Sequence, residues 1–187
     1  MIAITLPDGS VKQFDTGTTP MRVAISISEG FARNVISASF NDITIESSTP
    51  LTEDGHLILY TWRDKKGKQA FWHSSAHIMA QALEEKFPGV KLTIGPAIEN
   101  GFYYDIDLVE NTISDKDLKS IEDKMLEIAR GKHEFTLRES SKADALEYYK
   151  KQGNQYKVAL IENLEDGTIT FCDHDSFTDL CRGGHIP

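Results

Sequence analysis

The sequence IAITLPDGSVKQF at residues 2–14 decides the class of fold that we expect for the start of the chain. Two short segments with β-strand character flank the turn sequence PDGS at residues 7–10, a pattern that predicts a β-hairpin. Thr19 then provides a helix N-cap and Pro20 a favourable first helical residue. A short helix is therefore expected directly after the hairpin.

Further strands complete this first unit. The segments VISASF (35–40) and ITIES (43–47) straddle an Asn-Asp turn, and HLILYTW (56–62) follows an Asp-Gly turn. Two strands, a helix and further strands predict a small α+β roll of the ubiquitin-like kind over residues 1–62. The polar sequence RDKKGKQ at residues 63–69 predicts a linker.

The remaining residues, 70–187, are expected to form a larger second unit that is also α+β. A helix from about residue 69 to 87 ends at a Pro-Gly pair, and an Asn-Gly turn at residues 100–101 predicts a hairpin. Capping residues and apolar spacing predict two more helices, at 114–131 and 141–152. Three sequences are predicted as strands: HEFTLRE, YKVALIE and TITFC.

Composition limits the possible functions. A formal net charge of -9 argues against a free-standing nucleic-acid binder. The argument concerns the whole chain, so it does not apply to a local basic strip or to a larger parent protein that supplies the main contacts. Two cysteines give no disulfide framework, and no secretory signal or apolar run of about 20 residues is recognisable. We therefore predict a cytoplasmic location, with no membrane and no DNA as partners.

Two histidine-containing motifs are the candidates for chemistry. His73 and His77 lie four residues apart on the predicted helix, so their side chains project from one face. Cys181 and His185 have the same spacing, and the two glycines between them permit a tight turn. The four side chains would suit tetrahedral zinc. Buried core histidines are the alternative, and a zinc-protease motif is disfavoured because Ser74 stands where the general base Glu would be.

Five segments carry a resemblance to a known family. ITLPDGS, WHSSAH, IGPAIENGFYYDID, YKVALIE and FTDLCRGGHIP occur together and in order. The chain thereby resembles the N-terminal region of bacterial threonyl-tRNA synthetases from its first residue to its last. The first unit is similar to the TGS domain of that family and the second to its editing domain. A related set of two histidines, a cysteine and a further histidine holds zinc in alanyl-tRNA editing domains.

The resemblance implies an organisation that goes beyond this sequence. Family members continue into a class II aminoacylation core and an anticodon-binding domain, and their editing fold extends past the CRGGH motif. The editing domain at residues 70–187 is therefore expected to be truncated at its C-terminal end. ATP, Mg²⁺ and zinc are expected only in the aminoacylation core, with no cofactor for this region. The parent is expected to be a homodimer through that core.

The implied function is hydrolysis of mischarged seryl-tRNA(Thr), while the parent attaches threonine to tRNA(Thr) with ATP. Serine lacks one methyl group of threonine, and one methyl group provides only about 1–3 kcal/mol of discrimination. A second site that excludes threonine by size corrects the resulting errors. The expected partner is therefore the acceptor end of tRNA(Thr) carrying serine, and the process is protein biosynthesis.

The resemblance also implies roles for individual residues. His73 would hold the attacking water and accept its proton, and Lys157 would orient that water or stabilise negative charge. Asp179 would bind the α-ammonium or hydroxyl group of the substrate, and Tyr104 the terminal adenosine. The other implied catalytic residues shape the pocket without a metal: His77, Cys181 and His185.

Two alternatives remain open at this point. The first is a zinc-dependent editing hydrolase of the alanyl type, in which the two histidine-containing motifs are the ligands. The second is a non-catalytic module that binds RNA or another partner, with structural histidines. Metal analysis separates the first from metal-free editing, and deacylation assays separate the second from both.

Overall fold

The computed structural model describes all 187 residues, which form two compact units. The first unit consists of residues 1–72 with 183–187, and the second of residues 73–182. A mixed α+β fold was predicted for the chain and is confirmed. None of the helices combines the length and the apolar character that a membrane crossing requires.

The first unit is built on a five-stranded sheet in the order β2-β1-β5-β3-β4. The central pair β1 and β5 is parallel, and the other neighbours are antiparallel. Two helices, α1 and α2, follow the first hairpin. The elements are β1 (Ile2–Thr5), β2 (Val11–Phe14), α1 (Pro20–Ile27), α2 (Glu29–Ala32), β3 (Val35–Phe40), β4 (Ile43–Ile45) and β5 (Gly55–Thr61).

Local sequence explains the first helix, and an apolar core explains its packing. The hydroxyl of Thr19 accepts a hydrogen bond from the Arg22 amide, and Pro20 begins α1 as predicted. Val23 and Ala24 on its inner face are fully buried. Ile4 and Leu57, from the parallel strand pair, are also fully buried in the core. The predicted ubiquitin-like roll is thus present.

The second unit contains most of a long helix, three further helices and strands that form small ladders. The helix α3 (Lys65–Lys86) begins in the first unit and continues into the second. The other elements are β6 (Lys91–Leu92), β7 (Ala97–Ile98), β8 (Gly101–Phe102), β9 (Ile106–Asp107), α4 (Asp115–Arg130), β10 (Thr136–Glu139), α5 (Lys142–Lys151), α6 (Gln155–Glu162), β11 (Thr170–His174) and β12 (Phe177–Leu180).

A three-stranded antiparallel sheet in the order β10-β11-β12 forms the platform of the second unit. Tyr149 of α5 and Ile161 of α6 are buried together with Phe171 of β11 in one apolar cluster. The predicted hairpin around residues 100–101 forms two short ladders, β7 with β8 and β6 with β9. This arrangement brings α6, β12 and the hairpin close to one another.

The structure differs from the sequence-based expectations at three places, and one predicted strand is wrong. YKVALIE, predicted as a strand, forms helix α6, because the Asn154 side chain caps it by accepting from the Lys157 amide. Residues 65–69 of the predicted linker are helical, since α3 begins at Lys65. FTDL, for which no strand was predicted, is β12 and pairs with β11.

Candidate active site in the second unit

Six of the seven predicted site residues line one cavity of about 450 Å³ in the second unit. That volume lies within the range of about 300–1,000 Å³ that is typical of small-molecule sites. Apolar side chains from α6 and β12, including Leu160 and Leu180, form part of its wall. The predicted residues at the cavity are His73, His77, Tyr104, Lys157, Asp179 and Cys181.

A buried ion pair lies at the centre of these residues. Lys157 of α6 and Asp179 of β12 are each 2% exposed, and Nζ lies 2.6 Å from Oδ1. Burial opposes ionisation of the carboxyl group, but the Lys157 charge and the His77 contact outweigh it, so the pKa of Asp179 falls to about 2. Lys157 is therefore a buried lysine whose charge is paired with a carboxylate.

His77 joins this pair from α3. Its Nδ1 lies 3.3 Å from Oδ2 of Asp179, and the ring is buried. Burial lowers the pKa of this imidazole, but the hydrogen bonds and charges of Asp179 and Cys181 dominate and raise the pKa to about 9. An imidazolium and an ammonium thus face one carboxylate. The site is suited to stabilising a negative charge that develops in the cavity.

His73 and Cys181 form the second contact pair of the cavity. Nε2 of His73 lies 3.0 Å from Sγ of Cys181, and the rings of His73 and His77 meet edge to face at 4.7 Å. The ligand atoms of these three side chains all lie within 4.8 Å of one another. Nitrogen and sulfur donors at this spacing fit the ligand preference of zinc, and the carboxylate of Asp179 behind His77 would orient that ligand.

Tyr104 reaches the same carboxylate from the hairpin segment after β8. Its hydroxyl donates a short hydrogen bond to Oδ2 of Asp179 and lies 3.4 Å from Nζ of Lys157. Burial and the negative charge of Asp179 raise the pKa of Tyr104 well above its usual value, so the phenol stays protonated. A Cβ atom at Gly95 would collide with the Tyr104 ring, so the glycine permits this close packing.

The seventh predicted residue, His185, belongs to the first unit and is fully buried there. Its Nδ1 lies 2.9 Å from Oε1 of Glu46, the carboxylate that follows β4. The amides of Gly184 and His185 also donate to this oxygen, at 3.0 Å and 3.4 Å. These bonds outweigh the effect of burial and keep the pKa of Glu46 below its usual value. The contacts fix the segment 183–187 in the first unit.

Sequence reasoning missed three residues that shape these environments. The hydroxyl of Tyr149 lies 3.4 Å from Oδ1 of Asp179. Gly95 permits the position of the Tyr104 ring. The Glu46 carboxylate binds the His185 ring. Gly95 lies inside IGPAIENGFYYDID, one of the segments that carried the resemblance, so the resemblance could have indicated it. Nothing in the local sequence distinguishes Tyr149 or Glu46 from ordinary helix and strand-end residues.

Comparison with known proteins agrees with the fold. Residues 2–61 match the model of the TGS domain family, in agreement with the roll of the first unit. Over its entire length the chain is 69% identical to a threonine–tRNA ligase of Flavobacterium johnsoniae, which it covers to 28%. It is 50% identical to the corresponding enzyme of Cytophaga hutchinsonii, which it covers to 29%.

The chain is thus similar from end to end to the N-terminal region of threonine–tRNA ligases, which are enzymes. This confirms the resemblance predicted from the sequence. The chain spans somewhat more than a quarter of the length of the curated relatives it matches.

Proposed function

We propose that the second unit hydrolyses seryl-tRNA(Thr), and that it does so as the editing part of a ligase that attaches threonine to tRNA(Thr) with ATP. The observation that carries the proposal is the buried Lys157–Asp179 pair in a cavity lined also by His73 and Cys181. A buried charge of this kind is costly unless it is paired, and such arrangements concentrate at functional sites.

The proposed reaction begins with a water molecule held in the cavity. Its oxygen attacks the ester carbonyl carbon while the His73–Cys181 pair accepts its proton. The developing oxyanion is stabilised by the positive charges of Lys157 and His77. The bond to the ribose oxygen then breaks, and that oxygen takes the proton back. Free serine and uncharged tRNA are the products.

The geometry changes the binding role that we propose for Asp179 and adds a role for Arg182. The Asp179 carboxylate already forms ion pairs with Lys157 and His77. It also accepts a hydrogen bond from the Tyr104 hydroxyl. Binding the substrate ammonium would therefore displace one of these partners, so we propose positioning as the main role of Asp179. Arg182 is exposed where it lines the cavity and is suited to contact an RNA phosphate.

Deacylation assays test this function. A full-length threonine–tRNA ligase carrying these 187 residues should release serine from seryl-tRNA(Thr) much faster than threonine from threonyl-tRNA(Thr). Lys157→Met should lower serine release by about 10²- to 10⁴-fold, as expected for the loss of one catalytic group. Lys151→Met, at an exposed ion pair with Glu147, is the matched control and should leave the rate unchanged. Equal rates for both esters, or no effect of Lys157→Met, would contradict the proposal.

Zinc-dependent hydrolysis is the second candidate, favoured by the clustering of the His73, His77 and Cys181 ligand atoms. A metal held there would activate water for the same ester hydrolysis. We favour the metal-free site because the ammonium of Lys157 at the cavity would oppose a dication there. Stoichiometric zinc in chelator-free protein, lost in Cys181→Ser, would reverse this preference. The cytoplasmic location and the homodimeric parent stay predictions.

A further inference from the structure

Asn154 is a polar residue buried between α5 and α6, and its side chain makes two hydrogen bonds to backbone groups. Its Oδ1 accepts from the amide of Lys157 at 3.1 Å, and its Nδ2 donates to the carbonyl oxygen of Leu92 at 2.9 Å. The residue is only 5% exposed, so both hydrogen bonds are shielded from solvent. The side chain thus ties α6 to β6 in the interior of the second unit.

The two backbone partners belong to two segments that line the cavity. Leu92 ends β6, and the residues that follow it, 93–96, are lining residues. Lys157 lies in the first turn of α6 and lines the cavity together with Leu160, which follows about one turn later. Asn154 itself does not line this cavity. Its side chain therefore connects two walls of the site without taking part in either.

The bond to α6 fixes the position of one lysine in particular. Asn154 is the N-cap of α6, and the amide that its side chain binds is that of Lys157 itself. Nζ of Lys157 lies 2.6 Å from Oδ1 of Asp179. A contact this short tolerates little displacement, because hydrogen bonds form only over a narrow range of distances. A shift of the first turn of α6 would therefore weaken the Lys157–Asp179 pair.

A second bond joins the same region to β6, but it lies at the surface. Nζ of Lys91 donates to the carbonyl oxygen of Gln152 at 2.7 Å, and this bond is exposed to solvent. Gln152 is the C-cap of α5, so the bond does not involve the first turn of α6. Water can replace a lost partner at the surface, whereas a buried group that loses its partner remains unsatisfied. The buried bonds of Asn154 are therefore the stronger constraint on Lys157.

We propose that Asn154 is a positioning residue of the candidate active site, which holds the Lys157 ammonium against Asp179 and residues 93–96 against α6. It acts through Lys157, because its own side chain does not reach the cavity. The kinetic consequence of this role rests on the proposed hydrolysis of seryl-tRNA(Thr). The position of the lysine does not depend on that reaction and is measured without a substrate.

The reactivity of Lys157 toward an amine-acylating reagent tests its position directly in the 187-residue chain. The buried and paired ammonium of the unmodified chain should react slowly. Asn154→Ala should raise the rate of Lys157 acylation by about 3- to 30-fold, as expected for a first turn that opens more often without its N-cap. Mass spectrometry of the peptide that contains Lys157 measures this rate. Asn154→Ser keeps a capping hydroxyl and should restore most of the protection.

Serine release by the full-length ligase provides the second readout. Asn154→Ala should lower kcat by about 10- to 100-fold and change KM less than about twofold, because a misplaced catalytic group destabilises mainly the transition state. Ser141→Ala is the matched control, since it removes the N-cap of α5, whose side chain accepts from the amide of Asp144 at 3.1 Å. It should lower thermal stability to a similar extent and leave kcat unchanged.

An unchanged rate of Lys157 acylation in Asn154→Ala would overturn the proposal. An equal fall of kcat in Ser141→Ala would also overturn it, because a general loss of helix stability would then explain the effect. If thermal unfolding shows that Asn154→Ala does not fold, Asn154→Gly replaces it with the same expected results, since glycine costs less at an N-cap. If the unmodified ligase releases no serine, the proposed hydrolysis fails, while Lys157 acylation still decides the role of Asn154.

Discussion

Each unit buries a carboxylate, but the two carboxylates have different partners. Glu46 in the first unit binds one segment: the Gly184 amide and the amide and ring of His185. Asp179 in the second unit binds side chains from α3, α6 and the hairpin segment, and its cavity lies among them. A carboxylate with partners from one segment anchors that segment. A carboxylate with partners from several elements holds a site together.

The two carboxylates also differ in the charges they face. Glu46 is opposed by one imidazole and two backbone amides. Asp179 is opposed by an ammonium and an imidazole, which explains why its pKa is lowered as far as about 2 despite burial. Substitutions at Asp179 should therefore have larger and more widespread effects than substitutions at Glu46.

The largest effect is expected for Asp179→Asn, which leaves Lys157 and His77 buried without a countercharge. Loss of one partner from a buried ion pair typically costs about 3–5 kcal/mol. The measurement is the free energy of unfolding from urea titration, with hydrogen exchange of the β11 and β12 amides to locate the loss. Asp173→Asn, which disrupts the more exposed pair with Arg138, is the control and should cost less than about 1 kcal/mol. Equal losses in the two variants would contradict the comparison.

The next largest effect is a dependence of the stability of the second unit on pH. The folded pKa of His77 is raised from 6.5 to about 9. Its stabilising contribution is therefore complete below pH 6.5 and is lost as the pH rises through about 9, an effect on the order of 3 kcal/mol. Hydrogen exchange of the β12 amides across this range measures it. The His77→Gln variant should lack this pH dependence. If stability still falls with pH as steeply in that variant, the dependence arises from another group.

A smaller and more local effect is expected for Glu46→Gln. The amide side chain keeps a hydrogen-bonding oxygen but loses the charge, at a cost of about 1–3 kcal/mol. Hydrogen exchange of the Gly184 and His185 amides should become faster, while exchange in β11 and β12 should not change. Glu53→Gln, an exposed substitution in the same unit, is the control. Faster exchange throughout the first unit would show that Glu46 supports more than the segment 183–187.

The smallest effect is expected for Tyr149→Phe. The tyrosine hydroxyl is one of several partners of Asp179 and lies 3.4 Å from Oδ1, so its loss should cost about 0.5–1.5 kcal/mol. Serine release should fall far less than in Lys157→Met. Tyr148→Phe, the neighbouring residue on α5, serves as the control. A fall in serine release as large as that of Lys157→Met would make Tyr149 a necessary positioning residue.

Local sequence signals predicted the elements whose ends are set by turns and caps. The hairpin around residues 7–10, the helix that begins at Pro20 and the helix α4 after Ser114 all agree with the structure. The failure at YKVALIE is instructive, since its apolar run suggested a strand while the Asn154 cap determines a helix. That cap was visible in the sequence, but an apolar run of this length does not distinguish a strand from a short helix.

The sequence by itself determined the α+β fold class, the starts of the helices α1, α4 and α5, and the residue types of the candidate site. The tertiary structure decided which of those residues meet, because distances between His73 and Cys181, or Lys157 and Asp179, depend on how distant segments pack. It also decided that Lys157 is buried and that His77 has a raised pKa, since desolvation and neighbouring charge arise only after folding. Spacing along the chain fixes local geometry, whereas the electrostatic character of the site depends on contacts between residues far apart in sequence.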